Sequence, residues 1–126
     1  MRMTLKFSLL AIFTFLSFCQ IEAKVWRINN EDDTADFSDT DVAHASNQVS
    51  NGDTLYVEGS RTHYSFFDCR KRLTIIGPGY FLRQNKLSVH PFPARIDGID
   101  FEEGSEGSKV IELTFDFRSS SSANAY

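Results

Sequence analysis

Short strand patterns that return after Gly-rich turns constrain this chain more than any other feature. In Asn51-Gly52-Asp53-Thr54-Leu55-Tyr56-Val57-Glu58-Gly59-Ser60 a turn signal runs straight into an alternating strand. The same grammar recurs at Leu73-Thr74-Ile75-Ile76-Gly77-Pro78-Gly79, again over residues 96–101, and again over residues 110–115. Strands spaced by roughly twenty residues, with no evident helix between them, read as the successive rungs of an all-β solenoid. Along each strand the side chains alternate, so Leu55 and Val57 face one way and Tyr56 the other, and Leu73 and Ile75 repeat the inward pair. Gly77, Pro78 and Gly79 force a corner, because Gly permits positive φ and Pro cannot donate to a ladder. Residues 80–93, with Arg83, Gln84, Asn85, Lys86, His90, Pro91 and Pro93, break the rhythm and are expected to leave the coil as an excursion.

A different grammar precedes the repeats. Residues 24–29 alternate apolar and polar and should form a first strand, and Glu31, Asp32, Asp33 and Asp36 mark a charged, mobile connection. Phe37, Val42, Ala45 and Val49 then fall at spacings that fit one helical face, with Ser38 or Asp39 as the cap and Asn51-Gly52 as the stop. Asp39 and Asp41 would sit in the first turn, where the helix dipole favours negative charge.

The opening segment belongs to export. Arg2 and Lys6 lead a strongly apolar run over residues 9–16, and Ile21-Glu22-Ala23 approximates a small-residue cleavage site, which predicts a secretory signal peptide cut after Ala23. The run is too short for a comfortable bilayer span, so no stable membrane span is expected after cleavage. Cys19 invites acylation as a lipoprotein, but Phe18 stands where a small residue is needed. Removing Arg2, Lys6 and Glu22 takes the basic and acidic counts from 13 and 17 to 11 and 16, a net charge of −5. That balance argues against nucleic acid and anionic membrane surfaces as partners. Only Cys69 remains in the exported part, so an intramolecular disulfide is excluded and stability must come from burial. About a hundred residues suffice for one small domain. The expected organisation is a signal peptide over 1–23, a strand and helix cap over 24–50, the first rungs over 51–117 and a disordered tail over 118–126.

Taken together, the Phe37, Val42, Ala45 and Val49 pattern, Asn51-Gly52-Asp53-Thr54-Leu55-Tyr56-Val57, residues 71–81, and Gly104-Ser105-Glu106-Gly107-Ser108 before Val110-Ile111-Glu112-Leu113-Thr114-Phe115 carry a family resemblance. The chain resembles the amino-terminal cap and first turns of bacterial right-handed parallel β-helix proteins of the pectate-lyase-like fold. This resemblance implies a right-handed parallel β-helix start in a secreted or cell-surface protein. Two departures stand out. Glu112 occupies a place where the resemblance leads one to expect Gly, and only about three rungs can be counted, near the minimum for a stable repeat stack. A truncated solenoid is therefore expected, open at its carboxy-terminal rung, where unpaired backbone would favour self-association.

The resemblance also implies where chemistry would lie, since β-helix lyases hold calcium with Asp and Glu on a strand face and abstract a proton with Arg. Asp97, Asp100, Glu102 and Glu103, with Arg95 nearby, are the residues to which this applies. Calcium, however, needs several oxygens converging at about 2.3–2.6 Å, whereas Asp97 and Asp100 on one continuous strand would face opposite ways. Solvated outer-face carboxylates are the expectation for these residues, and no catalytic site is expected in this chain. Glu31, Asp32, Asp33 and Asp36 lack the Gly and closing Glu of an EF-hand loop, and His44, His63 and His90 have no zinc-ligand spacing. Cys69, beside Arg70, Lys71 and Arg72, has the basic neighbours that lower a thiol pKa, but no His partner is placed by sequence. Among the aromatic residues near turns, Tyr56, Tyr64 and Tyr80 are the candidates to stack on sugars, while Phe66, Phe67 and Phe81 are expected to fill the coil or cover its end. The function expected is an exported module that binds or presents, with polysaccharide as its ligand class. The alternative is the amino-terminal piece of a polysaccharide lyase or hydrolase whose catalytic rungs lie beyond Tyr126.

Overall fold

The computed structural model describes residues 22–79 and 91–116. Alternation builds the first strand, β1 (Val25–Ile28), with Trp26 and Ile28 buried and Val25 and Arg27 exposed. There follow α1 (Thr40–Ala45), β2 (Thr54–Val57), β3 (Phe67–Cys69), β4 (Thr74–Ile76), β5 (Arg95–Ile96), β6 (Ile99–Phe101), β7 (Lys109–Ile111) and β8 (Thr114–Phe115). The fold is mostly strand with little helix, and among the described residues every strand pairing is parallel.

One sheet runs β1-β2-β4-β7, a second pairs β3 with β6, and a third pairs β5 with β8. In the four-stranded sheet Trp26, Leu55, Ile75 and Val110 stand in one register column, and Arg27, Tyr56 and Ile76 occupy the next, with Ile111 beside Ile76. Side chains in the first column point inward: Leu55 and Ile75 are fully buried, Trp26 nearly so, and Val110 packs against them. The same core receives Tyr64 and Ile96, which bridge to each other, and Phe67 and Cys69 from β3. All three sheets thus turn apolar faces toward shared contacts, each large side chain contributing roughly 1.5–3 kcal/mol by leaving water.

Several expectations are met and several corrected. Leu55, Val57, Leu73 and Ile75 are the inward residues, as their alternation predicts. Register places Val25, Thr54, Thr74 and Lys109 side by side, so the steps are 29, 20 and 35 residues, and an even spacing near twenty holds only for the middle one. The first step accommodates α1, and the last accommodates β5, β6 and the intervening segment. The patterns at 96–101 and 110–115 each divide into two short strands, at Asp97-Gly98 and at Glu112-Leu113.

Helix α1 also departs from the expected face. Asp39 is its N-cap, but it ends at Ala45, well before Asn51-Gly52, and its buried residues are Thr40 and Ala43. Val42 is 48% exposed, and Phe37 and Val49 pack against the core from outside the helix. A six-residue helix is too short to need a stripe of large residues, so small Thr40 and Ala43 let it lie close to the strands. Its ends are tied to the chain beyond β2: Asp39 accepts from the Ser65 N–H and hydroxyl, and Lys71 Nζ donates to the carbonyls of His44 and Ser46.

The charged connection is anchored rather than loose. The Phe37 N–H donates to the Arg27 carbonyl, Asn29 N–H to the Phe37 carbonyl, and Asp36 accepts from Arg27 N–H. Asp32 makes an Asx turn with Thr34 and an ion pair with Arg27. Among the described residues no helix is long and apolar enough to cross a membrane. The signal peptide up to residue 21 with Cys19, the excursion over residues 80–90 with Tyr80, Phe81 and His90, and the tail over 118–126 lie outside the described residues.

Candidate functional site

The outer face of the four-stranded sheet is the surface that strand alternation leaves to solvent. On it lie Val25, Thr54, Thr74 and Lys109 in one column and Arg27, Tyr56, Ile76 and Ile111 in the next. Tyr56, Thr54, Thr74 and Ile76 are half-buried, whereas Arg27 and Ile111 are exposed. At the edge beside Tyr56, Glu58 accepts from Arg27 Nε at 2.7 Å and from Asn29 Nδ2 at 2.8 Å. The Arg27 hydrogen bond, then that of Asn29 and the Arg27 charge, outweigh burial and hold the Glu58 carboxyl below the usual range. Tyr56 therefore offers an aromatic ring beside hydroxyl and charged groups, the combination with which proteins grip the apolar and polar faces of a polyol.

Tyr64 is the principal correction to the sequence-predicted sugar site. Its side chain is fully buried, and its hydroxyl donates to the Glu58 carbonyl at 2.8 Å. Burial pushes its phenol pKa well up. A Tyr near a turn can go inward wherever a carbonyl satisfies its hydroxyl, and here one does. Phe67 joins the core as expected, but Phe66 is 48% exposed.

The carboxylates named as calcium candidates are drawn apart. Asp97 Oδ1 lies 3.0 Å from His63 Nδ1, and Asp116 Oδ2 lies 3.4 Å from Nε2 of the same ring. Glu102 accepts from Arg70 Nε, which holds its carboxyl below the usual range. Asp100 is exposed and stands opposite Asp68 across the β3–β6 pairing, and Arg95 stands opposite Thr114. Among the described residues no group of three or more His, Cys, Asp or Glu side chains is placed to hold a metal ion. The other described histidine, His44, accepts from the Arg70 N–H, and burial followed by the charges of Lys71 and Arg70 pushes its pKa down.

Cys69 does not have the lowered pKa that its basic neighbours predict. It faces the core, its thiol donates to the Lys71 carbonyl, and burial pushes its pKa up. The positive charge of Lys71 acts in the opposite direction but is outweighed.

Asp53 is the residue that sequence reasoning passed over as part of a turn. It is 4% exposed, and its carboxylate accepts from Lys24 N at 2.9 Å, Trp26 Nε1 at 2.8 Å and Ser50 N at 2.9 Å. Burial pushes this carboxyl up, but the three donors together with the Lys24 charge outweigh it, leaving the pKa below the usual range. The available signal was an acidic residue directly before a strand whose alternate positions are apolar, where a carboxylate needs buried donors. Comparison with family models, with curated proteins and with solved structures finds no match for this chain.

Proposed function

We propose that this chain is the start of a right-handed parallel β-helix in an exported surface or matrix protein, and that it binds or presents an extended polysaccharide without catalysing a reaction on it. The observation that carries this reading is the shared core of three parallel sheets. Parallel sheets ordinarily have helices covering their faces, whereas among the described residues the helix is six residues long and the sheets are covered by one another. Such an arrangement grows along one axis and leaves a long outer face, the kind of surface that suits a linear ligand. Tyr56 is a ring on that face, beside the column that holds Thr54 and Thr74. A binding role is also favoured by the carboxylates, since Asp97 and Glu102 are each engaged by a basic or imidazole side chain.

Affinity electrophoresis of the folded exported chain through gels containing neutral and acidic polysaccharides tests the ligand class. Retardation by at least one polymer, weakened by Tyr56→Ala by about 1–3 kcal/mol as expected for loss of a stacking ring, is the expected result. Uniform mobility across the panel would remove polysaccharide from the proposal, and a crystal structure with left-handed connections would remove the β-helix assignment.

A further inference from the structure

The buried carboxylate of Asp53 and the first residue of the expected exported chain are in direct contact. Lys24 N donates to Asp53 Oδ1 at 2.9 Å, and the Lys24 carbonyl accepts from Thr54 N at 2.8 Å, so the Lys24 backbone is fixed on both sides. The Lys24 side chain is drawn back, its Nζ 3.4 Å from the centroid of the Trp26 ring. Trp26 in turn donates to the other oxygen of Asp53, which Ser50 N also approaches. Glu22 and Ala23, just before, are exposed and outside any helix or strand. An exposed peptide bond that adjoins a strand is accessible to a protease on one side and fixed in place on the other.

We propose that cleavage after Ala23 creates a partly buried ion pair, between the new α-ammonium of Lys24 and Asp53, that tightens the amino-terminal end of the fold. This inference rests on the signal-peptide reading. Hydrolysis adds one water across the Ala23–Lys24 peptide bond: the C–N bond breaks, a C–O bond forms, Ala23 leaves as a carboxylate and Lys24 N becomes an ammonium. The donor atom keeps its place, but its partial charge becomes a full one. A buried carboxylate whose hydrogen-bond donors are all neutral N–H groups gains from such a change, even beside the Lys24 side-chain charge, because charge-assisted hydrogen bonds are about twice as strong as neutral ones. Among the described residues, the ion pairs formed do not include Asp53. The groups facing the new ammonium are the Asp53 carboxylate, the Lys24 side chain and the Trp26 ring, of which only the first carries negative charge.

The test compares two purified chains, one beginning at Lys24 and one at Ala23, each ending at Tyr126. They differ by one alanine and carry the same net charge, but only the first puts an ammonium on Asp53. At pH 6 the Lys24 chain should melt about 4–8 °C higher, the shift that about 1 kcal/mol produces in a domain of this size. The gap should vanish in Asp53→Asn. Should that variant not fold, the pH dependence of the gap decides: an α-ammonium, with an ordinary pKa of about 7.7–8.0, is held above that value by its carboxylate. Its stabilisation is complete below that range and disappears as pH rises through the folded-state value. Equal midpoints at pH 6, or a gap that persists in Asp53→Asn or at high pH, overturn the proposal. Intact mass of the protein exported by its source cell tests the underlying reading separately. A first residue other than Lys24 would remove processing as the origin of the ion pair, even where the two purified chains differ as expected.

Discussion

At the amino-terminal end of the four-stranded sheet, β1 gives its outer edge to residues 36 and 37, its Trp26 ring packs 5.4 Å from the Phe37 ring, and Asp53 gathers the local N–H groups. At the other end, β7 is built by the same alternation, yet its inward Val110 is only half-buried, where Trp26 in the same column is 6% exposed. Strands of one grammar thus end in two ways. The contrast shows that stacking parallel strands and closing the stack are separate tasks. Closure at the amino-terminal end uses Asp36 and Phe37, in the acidic connection after β1, to satisfy the Arg27 and Asn29 backbone groups that an edge strand leaves open. Its residues look irregular in sequence because each answers a particular orphan donor or acceptor rather than a period.

The largest test of this contrast is a pair of truncations. Trp26→Ala should cost about 3–5 kcal/mol, the usual range for removing a large buried ring, and it also removes one of the two donors to Asp53 Oδ2. Ile111→Ala should cost no more than about 0.5 kcal/mol, as for an exposed position. Equilibrium urea unfolding of both variants measures the difference. Similar losses would mean that the carboxy-terminal end is as well sealed as the amino-terminal one.

Acid sensitivity gives a smaller test of the same end. Because the donors around Asp53 hold its pKa below the usual value, the unfolded chain binds its proton more readily than the folded one. Its contribution is therefore complete above the ordinary Asp pKa of about 3.9 and is lost as pH falls through the lower folded value. Asp53→Asn should lower stability at pH 7 by about 1–3 kcal/mol, since an amide places N–H against N–H, and should flatten the fall in stability below about pH 4. Chemical denaturation at a series of pH values reads both. An unchanged acid slope in the variant would assign the sensitivity to other carboxylates, with Glu58 and its Arg27 partner first among them.

How far the sequence could be read follows from the range of each interaction. Leu55, Val57, Leu73 and Ile75 are legible because strand alternation is local, but alternation fixes only which face each residue takes: matching the two inward pairs would set Leu55 opposite Leu73, whereas it stands opposite Ile75. Tyr64 was not, because its direction depends on a carbonyl six residues earlier in the chain and on a bridge to Ile96 across a distant connection. The face of α1 was misread for a related reason: in so short a helix the contacts beyond β2, such as Thr40 Oγ1 donating to the Ser65 carbonyl, decide what is buried. Asp97 and Glu102 looked like a cluster in sequence and are parted by partners, His63 and Arg70, that lie more than thirty residues away. The outer sheet face with Tyr56 was visible in outline, whereas the Asp53 anchor required knowing that β1 and β2 are neighbours.

The smallest predicted effect lies between β7 and β8, at Glu112. This residue has φ of 56°, in the left-handed region where a side chain costs about 1–2 kcal/mol and Gly costs nothing. It stands above Gly77, whose N–H donates to the Ile111 carbonyl, and a Cβ at Gly77 would come within 2.4 Å of the Glu112 carbonyl oxygen. One layer thus makes its corner with Gly and the next with Glu, so the tight backbone approach is kept while the residue best suited to it is missing. Glu112→Gly should relieve the strained φ but enlarge the freedom of the unfolded chain, a loss of about 0.4–1 kcal/mol. The net expectation is a gain of up to about 1 kcal/mol, read as a later urea midpoint with an unchanged slope. Gly77→Ala, by contrast, pushes a methyl group into backbone that cannot yield and should cost at least about 1–3 kcal/mol. If Glu112→Gly destabilised instead, the Glu side chain itself would have to be holding the corner. Its Oε2, placed 3.3 Å from where a Cβ on Gly79 would stand, is the atom to test next, by Glu112→Asn, which keeps tolerance of positive φ but shortens the reach.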